Sequence, residues 1–157
     1  MMIVDDVKRI LVLVTPTTDC IDVVRDAVGL AGRFQATLNV LDVIHNPFAY
    51  AGWNLPMPSL DREYQANLDQ VRDRLRVLVG ERRAQGLSIE AVVREGEPAE
   101  QVLKVIEEKA IDLLVLPLHA EGRIEHYFSS RVADRVMRKM PCSVLLVRQE
   151  ESNLCPA

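Results

Sequence analysis

The chain has 157 residues, 48% of them hydrophobic, with 19 Lys and Arg against 23 Asp and Glu, for a formal net charge of −4. That length suits one domain burying a single core, and the mixed charges and apolar share are those of a globular protein rather than a disordered one. A mildly acidic balance without a dense Lys/Arg run excludes the electrostatic footprint of a nucleic-acid binder and disfavours anionic membrane surfaces.

The segment from Met1 to Val7 holds Asp5 and Asp6 where a secretory signal needs a basic start and then an apolar stretch, and no apolar run reaches membrane-spanning length. Cys20, Cys142 and Cys155 are odd in number and widely spaced, which suits reduced thiols in a cytoplasmic protein better than a disulfide framework. One of them reads as a small core residue and the other two as incidental thiols.

Arg9 to Val14 (RILVLV) is a short apolar run ended by Thr15-Pro16-Thr17-Thr18, which predicts a buried strand stopped by a loop. From Cys20 to Gly32, Ile21, Val24, Ala27, Val28 and Ala31 recur at three- and four-residue spacing, the pattern of an amphipathic helix. Ala36 to Ile44 returns to strand character and closes a β-α-β unit, whose crossover makes parallel pairing the default. His45 to Pro58, with three prolines and the aromatics Phe48, Tyr50 and Trp53, predicts a long loop that either binds through those rings or packs them on its own domain.

Ser59 to Gln85 predicts a helix with Leu60, Tyr64, Leu68, Val71, Leu75 and Leu78 on one stripe, ended by Gly86. A strand from Leu87 to Arg94 follows. A turn at Gly96-Glu97 then leads into a helix from Pro98 to about Lys109, with the proline where its missing N–H costs nothing. Asp112 to Leu118 (DLLVLPL) has the apolar run of a central parallel strand, with Pro117 marking its end. His119 to Phe128 reads as a polar loop, Ser129 to Lys139 as a helix capped by Ser129 or Ser130, and Cys142 to Val147 as the last strand. Residues 149–157 form a polar tail, leaving one domain over residues 1–148.

This alternation predicts an α/β fold with an open five-stranded parallel sheet and helices on both faces. Such sheets bind ligands outside the carboxyl ends of the strands, where the strand order reverses. That rim contains Thr15 to Thr18 and the loops from His45 and His119.

Lys8-Arg9-Ile10-Leu11-Val12, Gly96-Glu97-Pro98-Ala99, Asp112-Leu113-Leu114-Val115 and, most specifically, Val132-Ala133-Asp134-Arg135-Val136 followed by Pro141-Cys142-Ser143-Val144-Leu145-Leu146-Val147 together resemble the universal stress protein family from Lys8 to Arg148. The resemblance implies a Rossmann-like sheet of the adenine nucleotide alpha hydrolase-like kind. It also implies a crevice formed here by Thr15, Pro16, Val43, Pro117, His119, Ala120, Arg123, Ser129, Ser130 and Arg131. ATP-binding members carry G-x-x-G, nine residues, then G-[ST] before the last helix. Counting back from Val132-Ala133, those four places are Pro117, Ala120, Ser130 and Arg131, and the family's acidic residue after the first strand falls on Thr15.

Phosphate-loop glycines reach positive φ and bring their N–H groups close to the ligand, whereas Pro117 has no N–H and a fixed φ. The expectation is therefore a module that does not bind ATP in the family's usual mode, expects no cofactor, and acts through a protein partner or another small ligand. Its alternative is an adenine nucleotide sensor in which Arg123 or Arg131 faces the phosphates. A small anion beside Arg131 at the last helix's N-terminus is weighed against simple capping.

Catalytic signals are weak. His119-Ala120-Glu121 with Pro141-Cys142 is similar to zinc-deaminase elements, but the second cysteine's place is Leu145, so no three-ligand zinc site can be assembled and no metal is assigned. The nucleophile elbow, the dinucleotide fingerprint and the P-loop are absent, and the expectation is no enzyme activity. Finally, the last strand has no successor to pair with. Relatives that this sequence resembles dimerise through that strand, which predicts an isologous homodimer through Ser143, Val144, Leu145, Leu146 and Val147.

Overall fold

Short β-rich runs separated by amphipathic helices can bury their apolar faces only by stacking helices on a sheet, and the chain does so. The computed structural model describes residues 6–14, 20–44, 58–118 and 126–148. Strands β1 (Arg9–Val14), β2 (Thr37–Ile44), β3 (Ile89–Glu95), β4 (Leu113–Leu118) and β5 (Ser143–Arg148) alternate with helices α1 (Cys20–Phe34), α2 (Pro58–Ala84), α3 (Pro98–Glu108) and α4 (His126–Lys139). The strands pair in parallel in the order β3-β2-β1-β4-β5. The sheet is therefore doubly wound, with its order reversing between β1 and β4 and with β5 at an edge.

Alternation along the strands divides the core into two layers. Ile10, Val12, Leu38, Val40, Ile89 and Val115 pack against Val23, Val24, Ala27 and Ala31 of α1 and Leu75 and Val79 of α2. Leu11, Leu13, Leu41, Val43, Leu114 and Leu116 pack against Val102, Val105 and Ile106 of α3 and Val132, Ala133 and Val136 of α4. Of the predicted α2 stripe, Leu68 and Leu75 are buried and Leu78 is partly buried. The side chains of Leu60, Tyr64 and Val71 lie outside the described residues.

The helices stop by a common device. Gln35, Gly86 and Ala110 take left-handed φ values of 53°, 86° and 48°. The N–H of the residue after each returns to the carbonyl five residues back: Ala36 to Ala31 at 2.9 Å, Leu87 to Arg82 at 3.2 Å and Ile111 to Ile106 at 3.0 Å. After α4, Met140 at φ 48° bonds Val136 at 2.8 Å. The next residue, Pro141, has no N–H with which to make the longer bond.

Several element ends differ by a residue or two from the sequence expectation, α1 running to Phe34, β3 spanning Ile89–Glu95 and β5 Ser143–Arg148, and three further differences have a local cause. α2 begins at Pro58, which joins the helix as its first residue because a proline is preformed for that place. Pro117 lies inside β4, not at its end. α4 begins at His126, so the expected loop gives up its last three residues and neither Ser129 nor Ser130 caps the helix. Both sit within its opening turns, since no breaker separates them from His126.

Candidate functional site

The candidate site is the carboxyl rim where β1 and β4 part, and Pro117 shapes that parting. The Ser143 N–H donates to the Asp112 carbonyl at 3.3 Å, and Leu113 stands beside Ser143 in register. In a parallel ladder this turns even-numbered residues of β4 toward β5 and odd-numbered ones, Pro117 among them, toward β1. A proline there has nothing to donate to β1. Consistently, the β1–β4 register ends at Val12 with Val115, whereas β1–β2 continues to Val14 with Asp42 and β4–β5 to Leu118 with Arg148.

Of the crevice positions, Val43 is buried at 4% exposure among the α3 and α4 side chains. Pro117 is also buried, and alternation from Val115 puts it on the opposite face, so these two side chains do not line one surface. Arg131 is exposed on α4. Ser129 and Ser130 are placed on α4 by backbone only. Thr15, Pro16, His119, Ala120 and Arg123 lie outside the described residues, as do the aromatic loop and its Phe48, Tyr50 and Trp53. Arg131 is the sixth residue of α4, past the first-turn N–H groups that would join it in holding an anion.

Sequence reasoning missed Asp42. Its place in β2, one residue before Val43 and in register with Val14, puts a carboxyl just below the rim at 5% exposure. Its Oδ1 has no hydrogen-bond partner among the described residues. Burial pushes its pKa up to about 6, against the lowering effect of the Arg74 charge. The available signal was an acid interrupting the apolar run TLNVLDVI.

The layer of α3 and α4 is cross-braced by ion pairs. There a cleft of 630 Å³ between α3 and α4 is lined by Arg9, Lys104, Arg135 and Lys139 among others. Lys104 pairs with Glu100 at 2.8 Å and Arg135 with Glu97 at 2.7 Å. Glu97 also accepts the Glu100 N–H at 2.8 Å as the α3 cap, so one carboxylate ties α3 to α4. Beside this cleft, Cys142 is a half-buried free thiol. Burial first, and the Asp112 charge second, push its pKa up to about 11 despite a backbone hydrogen bond with Leu114, which leaves it protonated and unreactive at neutral pH. Among the described residues no three His, Cys, Asp or Glu side chains are grouped to hold a metal, and no helix is long and apolar enough to cross a membrane.

A parallel five-stranded sheet in this order, with helices on both faces and a rim opened at the β1–β4 switch point, defines a Rossmann-like doubly wound α/β protein. The model of the Universal stress protein family matches residues 6–148, and the chain belongs to that family. It is 25% identical over 147 residues to a universal stress protein of Methanocaldococcus jannaschii, covering 90% of this chain and 82% of that one. Universal stress protein UspA from Lactobacillus plantarum superposes with a TM-score of 0.67 at 22% identity, over 90% of this chain and 97% of that one. A family protein of Arabidopsis thaliana with AMP bound superposes with a TM-score of 0.59 at 15% identity, over 92% and 93%.

Proposed function

We propose that this universal stress protein is a non-catalytic, homodimeric module that does not bind ATP in the usual family mode and acts through a protein partner or another small ligand. The observation that carries the reading is Pro117, buried within β4 where a phosphate-binding loop would need a flexible, N–H-bearing residue. The self-association part is supported by β5, an edge strand on which Leu145 and Leu146 are 38% and 37% exposed, since a soluble chain seldom leaves such an edge bare.

Titration calorimetry with ATP and Mg²⁺, on protein checked by mass spectrometry for carried nucleotide, tests it. No heat and no carried nucleotide is the expected result, and micromolar binding overturns it. The second reading, an adenine nucleotide sensor with Arg123 or Arg131 at the phosphates, is favoured by the AMP-bound relative of the same fold, and AMP belongs in the same titration.

A further inference from the structure

Granted the reading of the chain as an edge-paired dimer, we infer that β5 joins its second copy in one antiparallel register, with Leu146 on the two-fold axis. The hydrogen-bonding direction of β5 fixes the groups on offer. Because Ser143 donates to the Asp112 carbonyl, Ser143, Leu145 and Val147 spend their N–H and C=O groups on β4, and Val144, Leu146 and Arg148 turn theirs to the free edge.

Symmetry then limits the choices. A two-fold axis normal to the sheet keeps every side chain on its own face, and residues opposed across an antiparallel pair share a face. The axis must therefore pass through a residue and cannot fall between Leu145 and Leu146. With Leu146 on the axis, Leu146 faces its copy and Val144 faces Arg148. All three outward residues of each strand are satisfied, giving six interstrand hydrogen bonds from three N–H and three C=O groups per copy. With Leu145 on the axis, only Val144 and Leu146 exchange bonds, four in all, and Arg148 is left opposite Cys142, which precedes β5.

The side chains agree with the first register. Leu145 meets Val147 on the α1–α2 face, where Val147 already packs on the core. Leu146 meets its equivalent on the other face, where Val144 packs. No like charges are opposed in either layer.

The test uses full-length protein with Cys20, Cys142 and Cys155 replaced by Ser, carrying either Leu146→Cys or Leu145→Cys and oxidised with copper phenanthroline. Residues opposed across a hydrogen-bonded pair have Cα atoms about 5.5 Å apart, within disulfide reach, whereas residues staggered by two positions are about 8 Å apart and out of reach. The expected result is a cross-linked dimer from the position 146 variant and none from the position 145 variant. The reverse pattern overturns the register. A dimer by light scattering that cross-links at neither position also overturns this register, and a monomer by light scattering overturns the dimer reading on which the inference rests. Circular dichroism matching the wild type establishes that each variant is folded, and the same cysteines introduced with Cys142 retained replace any that is not.

Discussion

The peptide N–H of Arg9 donates to the Asp112 carboxylate at 2.8 Å, and the peptide N–H of Asp112 returns to the Arg9 carbonyl at 2.9 Å. The same carboxylate oxygen accepts the Lys8 N–H at 2.9 Å, and the Asp112 carbonyl takes the Ser143 N–H. One residue at the bend before β4 thus joins the starts of β1, β4 and β5, three segments far apart in sequence. Asp112→Ala leaves two backbone donors without their acceptor and is expected to cost about 1–3 kcal/mol, read as a lower urea midpoint with unchanged slope.

Asp42 makes stability depend on pH in the direction opposite to a salt-bridged acid. Its folded pKa of about 6 lies above the ordinary 3.8, so below that ordinary value both states are protonated and nothing is lost. As pH rises toward 6 the unfolded chain ionises first, and stability falls until the folded carboxyl has also ionised. The loss is about 2–3 kcal/mol between pH 4 and pH 7. Asp42→Asn removes it, so the difference between the two proteins in denaturant unfolding should grow across that window in favour of the variant. A constant difference would show that Asp42 is not a buried, unpaired acid.

Ala110 and Met140 hold left-handed φ values of 48° that a Cβ disfavours. Ala110→Gly and Met140→Gly should each raise stability by up to about 1 kcal/mol, offset in part by the freer unfolded chain. Gly96 behaves in the reverse sense. It sits at φ 133°, and a Cβ there would lie 2.9 Å from Gln101 Nε2, so Gly96→Ala should lower the melting temperature.

Charging the edge tests the proposed assembly independently of its register. Val144→Lys with Leu146→Lys places cations on the strand proposed to pair, and the expected species in light scattering is a monomer or an insoluble chain. A dimer of unaltered mass would remove β5 from the interface.

Much of this architecture was legible residue by residue. RILVLV and CSVLLV announce strands through β-branched runs, and Glu97-Pro98 announces a helix start because a carboxylate accepts an orphan N–H and a proline has none to leave unpaired. The α4 boundary was misread because His126-Tyr127-Phe128 has no apolar period of its own. That turn becomes helical by continuing a helix whose Val132, Ala133 and Val136 are fixed on the sheet. One of the three cysteines was expected in the core and two as incidental thiols, and Cys142 proves half-buried just ahead of the edge strand β5.

The sequence by itself determined the alternation of elements, their order along the chain and the family pattern, because each depends on residue preferences acting over a few neighbours. Only the tertiary structure decided that Asp42 is buried while Asp112 braces three strands, that Pro117 ends the pairing of β1 with β4 without ending β4, and which groups of β5 face outward. Those outcomes depend on which distant strand lies alongside, and a residue's identity and its local period carry no information about its neighbour across the sheet.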